Sequence, residues 1–249
     1  MKLTRRKLIT GSTAFLGLTL INKSTLSYAN ENLFANQDQT ELKVINAGVG
    51  GNNTIDLLAR IDKDCLSYMP KLTVLMAGTN DMNSVKYVPL AEYEKNLVSI
   101  VKQIKATGSK ILIMTILPTY EPHLLTRHPA SFYDPEGVQG RRKQVNDVIK
   151  NVADRHKIHC LDLGHRFEAI GKIGLDKDSL IRNEANSNIT DGIHPTANGY
   201  RFIALTVYDY IMLTELPQNN IVCFGDSITK GDGTITKDSY PAFLKKLLA

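Results

Sequence analysis

A serine near the C-terminus stands in a setting that suits a nucleophile. Residues 221–231 read IVCFGDSITKG, an apolar run that leads into a Gly-Asp-Ser turn and a glycine-containing loop. This pattern predicts a buried strand that delivers Ser227 to the edge of a sheet. Only 22 residues follow the serine, which is too few to build a catalytic domain around it. Its partners must therefore lie upstream.

A serine hydroxyl is a weak nucleophile at neutral pH, so it needs a base, and the base needs an orienting group. Of the six histidines, His194 is the best candidate base, because Asp191 precedes it by three residues in the segment DGIHP. One short turn would bring this carboxylate against the imidazole, where it would fix the tautomer and stabilise the imidazolium. Taken alone, the segment equally suits an ordinary loop turn, since Asp-Gly and Pro both favour turns.

Acyl transfer also needs hydrogen-bond donors directed at the developing oxyanion. Three candidates follow predicted strands: the Ser227 amide, the Gly51 amide in a Gly-Gly corner, and the side-chain amide of Asn80. Glycine suits such a role because it lets the backbone approach a ligand closely. By itself, the pair Asn80-Asp81 suits a turn better than an oxyanion donor.

The elements that would position these residues alternate along the chain. Short apolar runs predict buried strands at 43–49, 72–77, 111–117, 159–163 and 221–224. Amphipathic stretches predict helices at 54–68, with Ile55, Leu58 and Ile61 as its apolar positions, and at 89–107, 139–156, 200–213 and 240–248. This alternation predicts a three-layer α/β/α sandwich with a mostly parallel five-stranded sheet. Ligands bind beyond the carboxyl ends of such strands, so the polar residues after them should meet on one rim.

Four short motifs together resemble those of the SGNH, or GDSL, hydrolase family. GDSI at 225–228 resembles its serine block, and NAGVGGN at 46–52 resembles its glycine block. GTND at 78–81 resembles its asparagine block, and DGIHP at 191–195 resembles its Asp-xx-His block. Each motif is weak by itself, but four motifs at compatible positions are specific. The resemblance covers nearly all of the chain beyond the N-terminal segment.

The resemblance implies a role for each motif. Ser227 would be the nucleophile, His194 the base and Asp191 its partner. The oxyanion hole would consist of Ser227, Gly51 and Asn80. The resemblance further implies hydrolysis of esters or thioesters through an acyl-enzyme, without a metal ion or an organic cofactor.

The order of the motifs departs from the family, in which the serine block comes first. Here it comes last, so the sequence looks circularly permuted, with 213–220 as the new connection. The family's sheet order would place the serine strand between the strands at 43–49 and 72–77. As an alternative, the serine strand completes the site of a second chain in a strand-exchanged dimer. A mixture of Ser227→Ala and His194→Ala chains would distinguish the two, because only exchange would restore activity.

The N-terminal residues have the composition of an export signal. Residues 1–29 contain Lys2, Arg5, Arg6, Lys7 and Lys23 and no acid, followed by a moderately apolar stretch and Ser-Tyr-Ala. We expect a twin-arginine-like signal peptide at 1–29, a linker at 30–40 and a single hydrolase domain at 41–249. These five cations account for the whole net charge of +5. The remainder is therefore neutral, which argues against a nucleic-acid partner. The apolar stretch is too short for a comfortable membrane span, so no transmembrane span is expected in the mature chain.

Together these features predict an exported serine ester hydrolase that acts on a small-molecule or glycan ester, with a short acyl group such as acetyl on a carbohydrate. A lysophospholipase or thioesterase acting on lipid-like acyl groups is the alternative enzyme. The alternative to an enzyme is a catalytically inactive protein that binds an acylated glycan. The long segment at 118–137 follows a strand on the active rim, and it suits a substrate-binding loop as well as a solvated excursion.

Overall fold

The central feature of the computed structural model is a fully parallel sheet, and the structure describes residues 42–231 and 239–249. The expected signal peptide and linker lie outside the described residues. The five strands are β1 (Val44–Gly48), β2 (Leu72–Met76), β3 (Lys110–Met114), β4 (His159–Leu161) and β5 (Ile221–Gly225). Their order across the sheet is β1-β5-β2-β3-β4. The serine strand β5 thus lies between β1 and β2, as expected.

A helix follows each of the five strands. In the described residues they are α1 (Thr54–Asp64), α2 (Leu90–Ala106), α3 (Glu121–Leu124), α4 (Gly137–His156), α5 (Leu163–Ile170), α6 (Glu184–Ser187), α7 (Ala197–Leu213), α8 (Ser227–Lys230) and α9 (Tyr240–Leu248). Short 3-10 turns occur at Leu66–Tyr68 and Ala130–Tyr133. Within the described residues, no helix is both long and apolar enough to cross a membrane.

Two apolar layers enclose the sheet, one on each face. Alternate residues of β5 serve the two layers, because successive side chains of a strand point to opposite faces. Val222 and Phe224 join the core formed with α1, α2 and α4, whereas Ile221 and Cys223 join the core formed with α7 and α9. The three-layer α/β/α sandwich with a parallel five-stranded sheet is therefore confirmed.

The strand register aligns the carboxyl ends of β1, β5 and β2 with one another across the sheet. Gly48 of β1 pairs with Gly225 of β5, and Met76 of β2 pairs with the same Gly225. The segments that follow these residues leave the sheet side by side. Gly51, Asn80 and Ser227 lie two to four residues beyond these strand ends, so the predicted convergence on one rim follows directly from the register.

Helices α1 and α7 differ from the sequence prediction, α1 in its end and its buried residues and α7 in its start. The helix expected at 54–68 ends at Asp64 and continues as a separate 3-10 turn. Its buried positions are Thr54, Leu57 and Ile61, whereas Ile55 is 48% exposed. The assignment of Ile55 to the apolar face was wrong, because the buried stripe runs through Thr54, Leu57 and Ile61 and leaves Ile55 on the solvent side. Helix α7 begins at Ala197 rather than residue 200 because the Thr196 hydroxyl caps it by accepting from the Gly199 amide.

We predict that removal of residues 220–249 prevents folding. The truncation deletes β5, whose residues are all buried, and leaves β1 and β2 without the strand that joins them. Burying each large apolar side chain contributes about 1.5–3 kcal/mol, so the loss exceeds the stability of an ordinary domain. Circular dichroism during thermal unfolding would measure this. A control that lacks only residues 247–249 should melt cooperatively, and a soluble, cooperatively melting 1–219 chain would contradict the prediction.

Candidate active site

The Ser227 turn is built by a cap and a close helix–strand contact. Asp226 is the N-cap of α8 and accepts a hydrogen bond from the Ile228 amide at 2.9 Å, which places Ser227 at the first helical position. Helix α8 lies directly against β1. A Cβ atom on Gly48 would come within 2.1 Å of the Lys230 nitrogen, so glycine is required at Gly48 for this approach.

The His194 loop is anchored by backbone pairing on both sides. The Arg182 amide donates to the His194 carbonyl at 2.9 Å, and the Gly192 amide donates to the Arg182 carbonyl at 3.0 Å. The Tyr120 amide donates to the Gly192 carbonyl at 2.8 Å. Gly192 has φ +74°, and a Cβ there would come within 2.7 Å of His123 Cβ. The tight turn therefore requires glycine between Asp191 and His194.

Serine, histidine and aspartate form a continuous hydrogen-bonded chain. His194 Nε2 lies 3.0 Å from Ser227 Oγ, which is within hydrogen-bond reach of a base and its nucleophile. His194 Nδ1 lies 2.9 Å from Asp191 Oδ2 and 3.0 Å from Oδ1. Because a carboxylate faces Nδ1, the neutral ring carries its proton there, and Nε2 is left to accept from serine.

Asp191 is held in its ionised form. The carboxyl is mostly buried, and burial by itself would raise its pKa. The His194 ring and the amides of Ile193 and His194 oppose this effect by donating hydrogen bonds, and they lower the pKa to about 2. The carboxylate is therefore charged at every pH at which the protein would ordinarily work.

Gly51 and Asn80 lie on the same rim as the serine. Gly51 has φ +76°, a left-handed conformation that favours glycine. Asn80 Nδ2 donates to the Asn52 carbonyl at 2.9 Å, and Asn80 Oδ1 accepts from Asn83 Nδ2 at 3.2 Å. These two bonds fix the amide so that one N–H of Nδ2 remains for a ligand.

One cavity of about 340 Å³ joins these groups. Ser227, His194, Gly51 and Asn80 all line it, while Asp191 lies behind the histidine with 8% of its side chain exposed. The structure thus brings all five predicted site residues together. The other lining residues are Thr79, Met82, Asn83, Val85, Ile116, Leu117, Thr119, Leu124, Arg127, His128, Tyr133 and Ile193.

The 118–137 segment contributes several of these lining residues, which the sequence left open. Leu124, Arg127, His128 and Tyr133 come from it. Arg127 Nη2 also donates to the Asp191 carbonyl at 2.5 Å, and its guanidinium lies 3.8 Å from the Asp191 carboxylate. Nothing in the local sequence identified this arginine, because the contact spans 64 residues.

A second serine–histidine contact lies beside the cavity. Ser84 Oγ is 2.8 Å from His128 Nδ1, and burial lowers the pKa of His128. Among the described residues no carboxylate pairs with His128, so this pair lacks the orienting group that His194 has. Nor do the described residues include a group of three or more His, Cys, Asp or Glu side chains arranged to hold a metal ion.

Comparisons with known proteins place the chain in a family. The model of the GDSL-like lipase/acylhydrolase family matches residues 18–202. The chain belongs to this family. It is a serine carboxylic ester hydrolase. The matched range includes Gly51, Asn80, Asp191 and His194 and ends before Ser227.

Individual relatives agree with this assignment. The chain is 30% identical over 194 residues to the uncharacterised lipoprotein YqeF of Bacillus subtilis, covering 72% of this chain and 77% of the relative. It is 34% identical over 171 residues to an acetylxylan esterase of Geobacillus stearothermophilus, covering 66% and 69%. The fold resembles a lipase/acylhydrolase from Enterococcus faecalis, with a TM-score of 0.55, 21% identity and coverage of 78% and 87%.

Two further carboxyl groups near the GDSL hydrolase site are buried. Asp226 is fully buried, and burial raises its pKa to about 6, with nearby Asp81 adding to the effect. Burial likewise raises the pKa of Asp81 to about 6. Asp81 Oδ1 accepts from the Thr54 amide and hydroxyl at 2.9 and 2.5 Å. Asp81, which the sequence suggested as a turn residue, therefore tethers the N-terminus of α1 to the segment after β2.

We predict that Asp226→Asn gains stability relative to the wild type as the pH rises from 4 to 7. The folded protein binds the Asp226 proton more tightly than the unfolded chain, so ionisation above about pH 4 destabilises the fold until the folded pKa near 6 is passed. Asparagine keeps the acceptor for the Ile228 amide but cannot ionise. The difference in unfolding free energy between Asp226→Asn and wild type should therefore grow by at most about 3 kcal/mol over this range. Urea unfolding of both proteins at several pH values would measure it.

Asp178→Asn is the control for this series. Asp178 is exposed, and its hydrogen bond from Lys172 lowers its pKa. Removing that carboxylate should change the pH dependence only slightly, and in the opposite sense. A gap between Asp226→Asn and wild type that stays constant from pH 4 to 7 would contradict the prediction.

Proposed function

We propose that Ser227, His194 and Asp191 act as a catalytic triad that cleaves carboxylic esters through an acyl-enzyme. The observation that carries the proposal is the unbroken chain of contacts, 3.0 Å from Ser227 Oγ to His194 Nε2 and 2.9 Å from Nδ1 to the Asp191 carboxylate. As Ser227 Oγ bonds to the ester carbonyl carbon, His194 Nε2 takes the hydroxyl proton. Asp191 stabilises the imidazolium that forms.

The tetrahedral intermediate would place its negative oxygen between three donors. These are the amides of Ser227 and Gly51 and the free N–H of Asn80 Nδ2. When the C–O bond to the alcohol breaks, His194 gives its proton to the departing oxygen. Water then attacks the acyl-enzyme with His194 again as the base, which releases the acid and restores Ser227.

A short acyl group, such as acetyl on a carbohydrate, is the substrate class that we favour. The cavity of about 340 Å³ is near the lower end of the range of roughly 300–1,000 Å³ for small-molecule sites. It must hold part of the alcohol as well as the acyl group. The related acetylxylan esterase supports the same choice. A lipid-like acyl group remains the second candidate, because much of the lining is apolar.

We further propose that the chain is a circularly permuted member of its family and is exported. The position of β5 between β1 and β2 supports permutation, as does a family match that contains three of the four motifs and ends before the serine. The basic, moderately apolar segment at 1–29 and the lipoprotein among the relatives support export. The triad contacts formed within one chain support a site that needs no strand exchange.

Replacing Ser227 with alanine should abolish hydrolysis of nitrophenyl acetate. Loss of the nucleophile removes the acyl-enzyme route, so we expect kcat to fall at least about a thousandfold. Ser84→Ala is the matched control, because it removes a hydroxyl that also contacts a histidine beside the cavity and should leave most of the activity. Equal rates for wild type and Ser227→Ala would instead favour a protein that binds acylated glycans without cleaving them.

Esters of increasing acyl length should distinguish the two substrate classes. We expect kcat/KM to be highest for acetyl to butyryl esters and at least about tenfold lower for palmitoyl, because the cavity cannot enclose a long chain. The measurement is kcat/KM for nitrophenyl esters, with Ser227→Ala as the background for each. Release of acetate from an acetylated oligosaccharide would test the carbohydrate part. Rates that rise through palmitoyl would overturn the short-acyl proposal and favour a lipid substrate.

A further inference from the structure

Arg60 of helix α1 reaches the rim of the sheet and bonds to three segments of the site. We propose that Arg60 is a positioning residue for the oxyanion hole, which it holds at a fixed place relative to the nucleophile. This inference rests on the proposed roles of Gly51 and Asn80.

The guanidinium of Arg60 spans the ends of two strands and the turn beside them. Nη1 donates to the Ala47 carbonyl of β1 at 3.0 Å, and Nη2 donates to the Gly225 carbonyl of β5 at 2.8 Å. Nε donates to Asn52 Oδ1 at 2.6 Å. Gly225 lies two residues before the nucleophile, and Asn52 directly follows Gly51. One side chain therefore ties the nucleophile turn to the turn that carries the Gly51 amide.

The same contacts extend to the third oxyanion donor. The Asn52 carbonyl accepts the hydrogen bond from Asn80 Nδ2 at 2.9 Å, so the position of Asn52 sets the direction of the Asn80 amide. Arg60 is absent from the lining of the cavity and acts only through Asn52 and the strand ends. It is therefore a positioning residue and not a catalytic one.

The surroundings of Arg60 make its geometry rigid. Its guanidinium stacks on Phe224, with 4.6 Å to the ring centre, and Asp64 Oδ2 lies 3.1 Å from Nη1. Burial lowers the pKa of Arg60, and Asp64 opposes that effect. A planar guanidinium can serve several acceptors at fixed angles, whereas the single ammonium of lysine cannot. Lysine at Arg60 would keep the charge but lose the link between the two turns.

Kinetics of Arg60 variants test the proposal. An interaction that is made only in the transition state lowers kcat and kcat/KM equally and leaves KM unchanged. We expect Arg60→Ala to lower kcat about 100-fold for nitrophenyl acetate, comparable to the loss of one oxyanion donor. Arg60→Lys should fail to restore the rate, and added guanidinium ion should restore part of it for Arg60→Ala.

Arg142→Ala is the matched control. Its side chain is about as little exposed as that of Arg60, 11% against 14%, and it also pairs with a carboxylate, Glu168. It lies in α4, and its hydrogen bonds go to Gln139 and Glu168 rather than to the strand ends. The urea unfolding of every variant is measured beside its kinetics. Arg142→Ala should retain the wild-type kcat even where its unfolding free energy falls as much as that of Arg60→Ala.

Asn52→Ala keeps the test decisive if Arg60→Ala does not fold. It removes the side-chain amide whose oxygen Arg60 holds and keeps the backbone carbonyl that accepts from Asn80, and we expect kcat to fall about tenfold with KM unchanged. Wild-type kcat in folded Arg60→Ala, or in Asn52→Ala, would overturn the inference. So would losses of activity that match the unfolded fraction. If wild type lacked turnover dependent on Ser227, the proposed function would fail as well, whereas intact turnover in the variants overturns this inference alone.

Discussion

The parallel pairing of β5 between β1 and β2 is the constraint on which the site depends. The register sets Gly48, Gly225 and Met76 at one level, and the turns that follow inherit that alignment. A slip of one residue would exchange the two faces of β5 and displace the serine turn by about 3.3 Å. Val222 and Phe224 would then leave the core that they share with α1 and α2. A register slip would therefore lose core packing, and this loss disfavours any pairing that displaces the serine turn.

The late position of β5 in the chain affects the order of folding more than it affects equilibrium stability. The free energy of closing a loop rises only slowly with its length, so moving the serine strand from the start of a chain to its end changes equilibrium stability little. The proposed permutation would change the folding order more, because β5, the strand that joins β1 and β2, is made after both of them. Helix α9, which follows β5, packs against α7 and β1. In the proposed permutation, this packing keeps the C-terminal end of the chain near the first strand of the sheet.

Much of the fold, and the convergence of the five candidate site residues on one rim, could be predicted from short apolar runs and the polar motifs. The reason is physical, since a buried parallel strand must be apolar and its carboxyl end must point to the common rim. Boundaries were less predictable, because the Thr196 cap and the inward place of Leu57 depend on contacts rather than periodicity. The role proposed for Arg60 could not be predicted from the sequence, because its hydrogen bond to Gly225 joins residues 165 positions apart.

Three aspartates near the site show how environment, rather than residue type, divides their roles. Asp191 receives hydrogen bonds from the His194 ring and two amides, so its pKa falls to about 2 despite burial. Asp226 accepts from the Ile228 amide in a fully buried position, and burial raises its pKa to about 6. Asp81 raises the pKa of Asp226, whereas His194 lowers it. The proton affinity of Asp226 is therefore coupled to the charge of His194. An imidazolium formed during the proposed reaction would therefore favour the ionised form of Asp226.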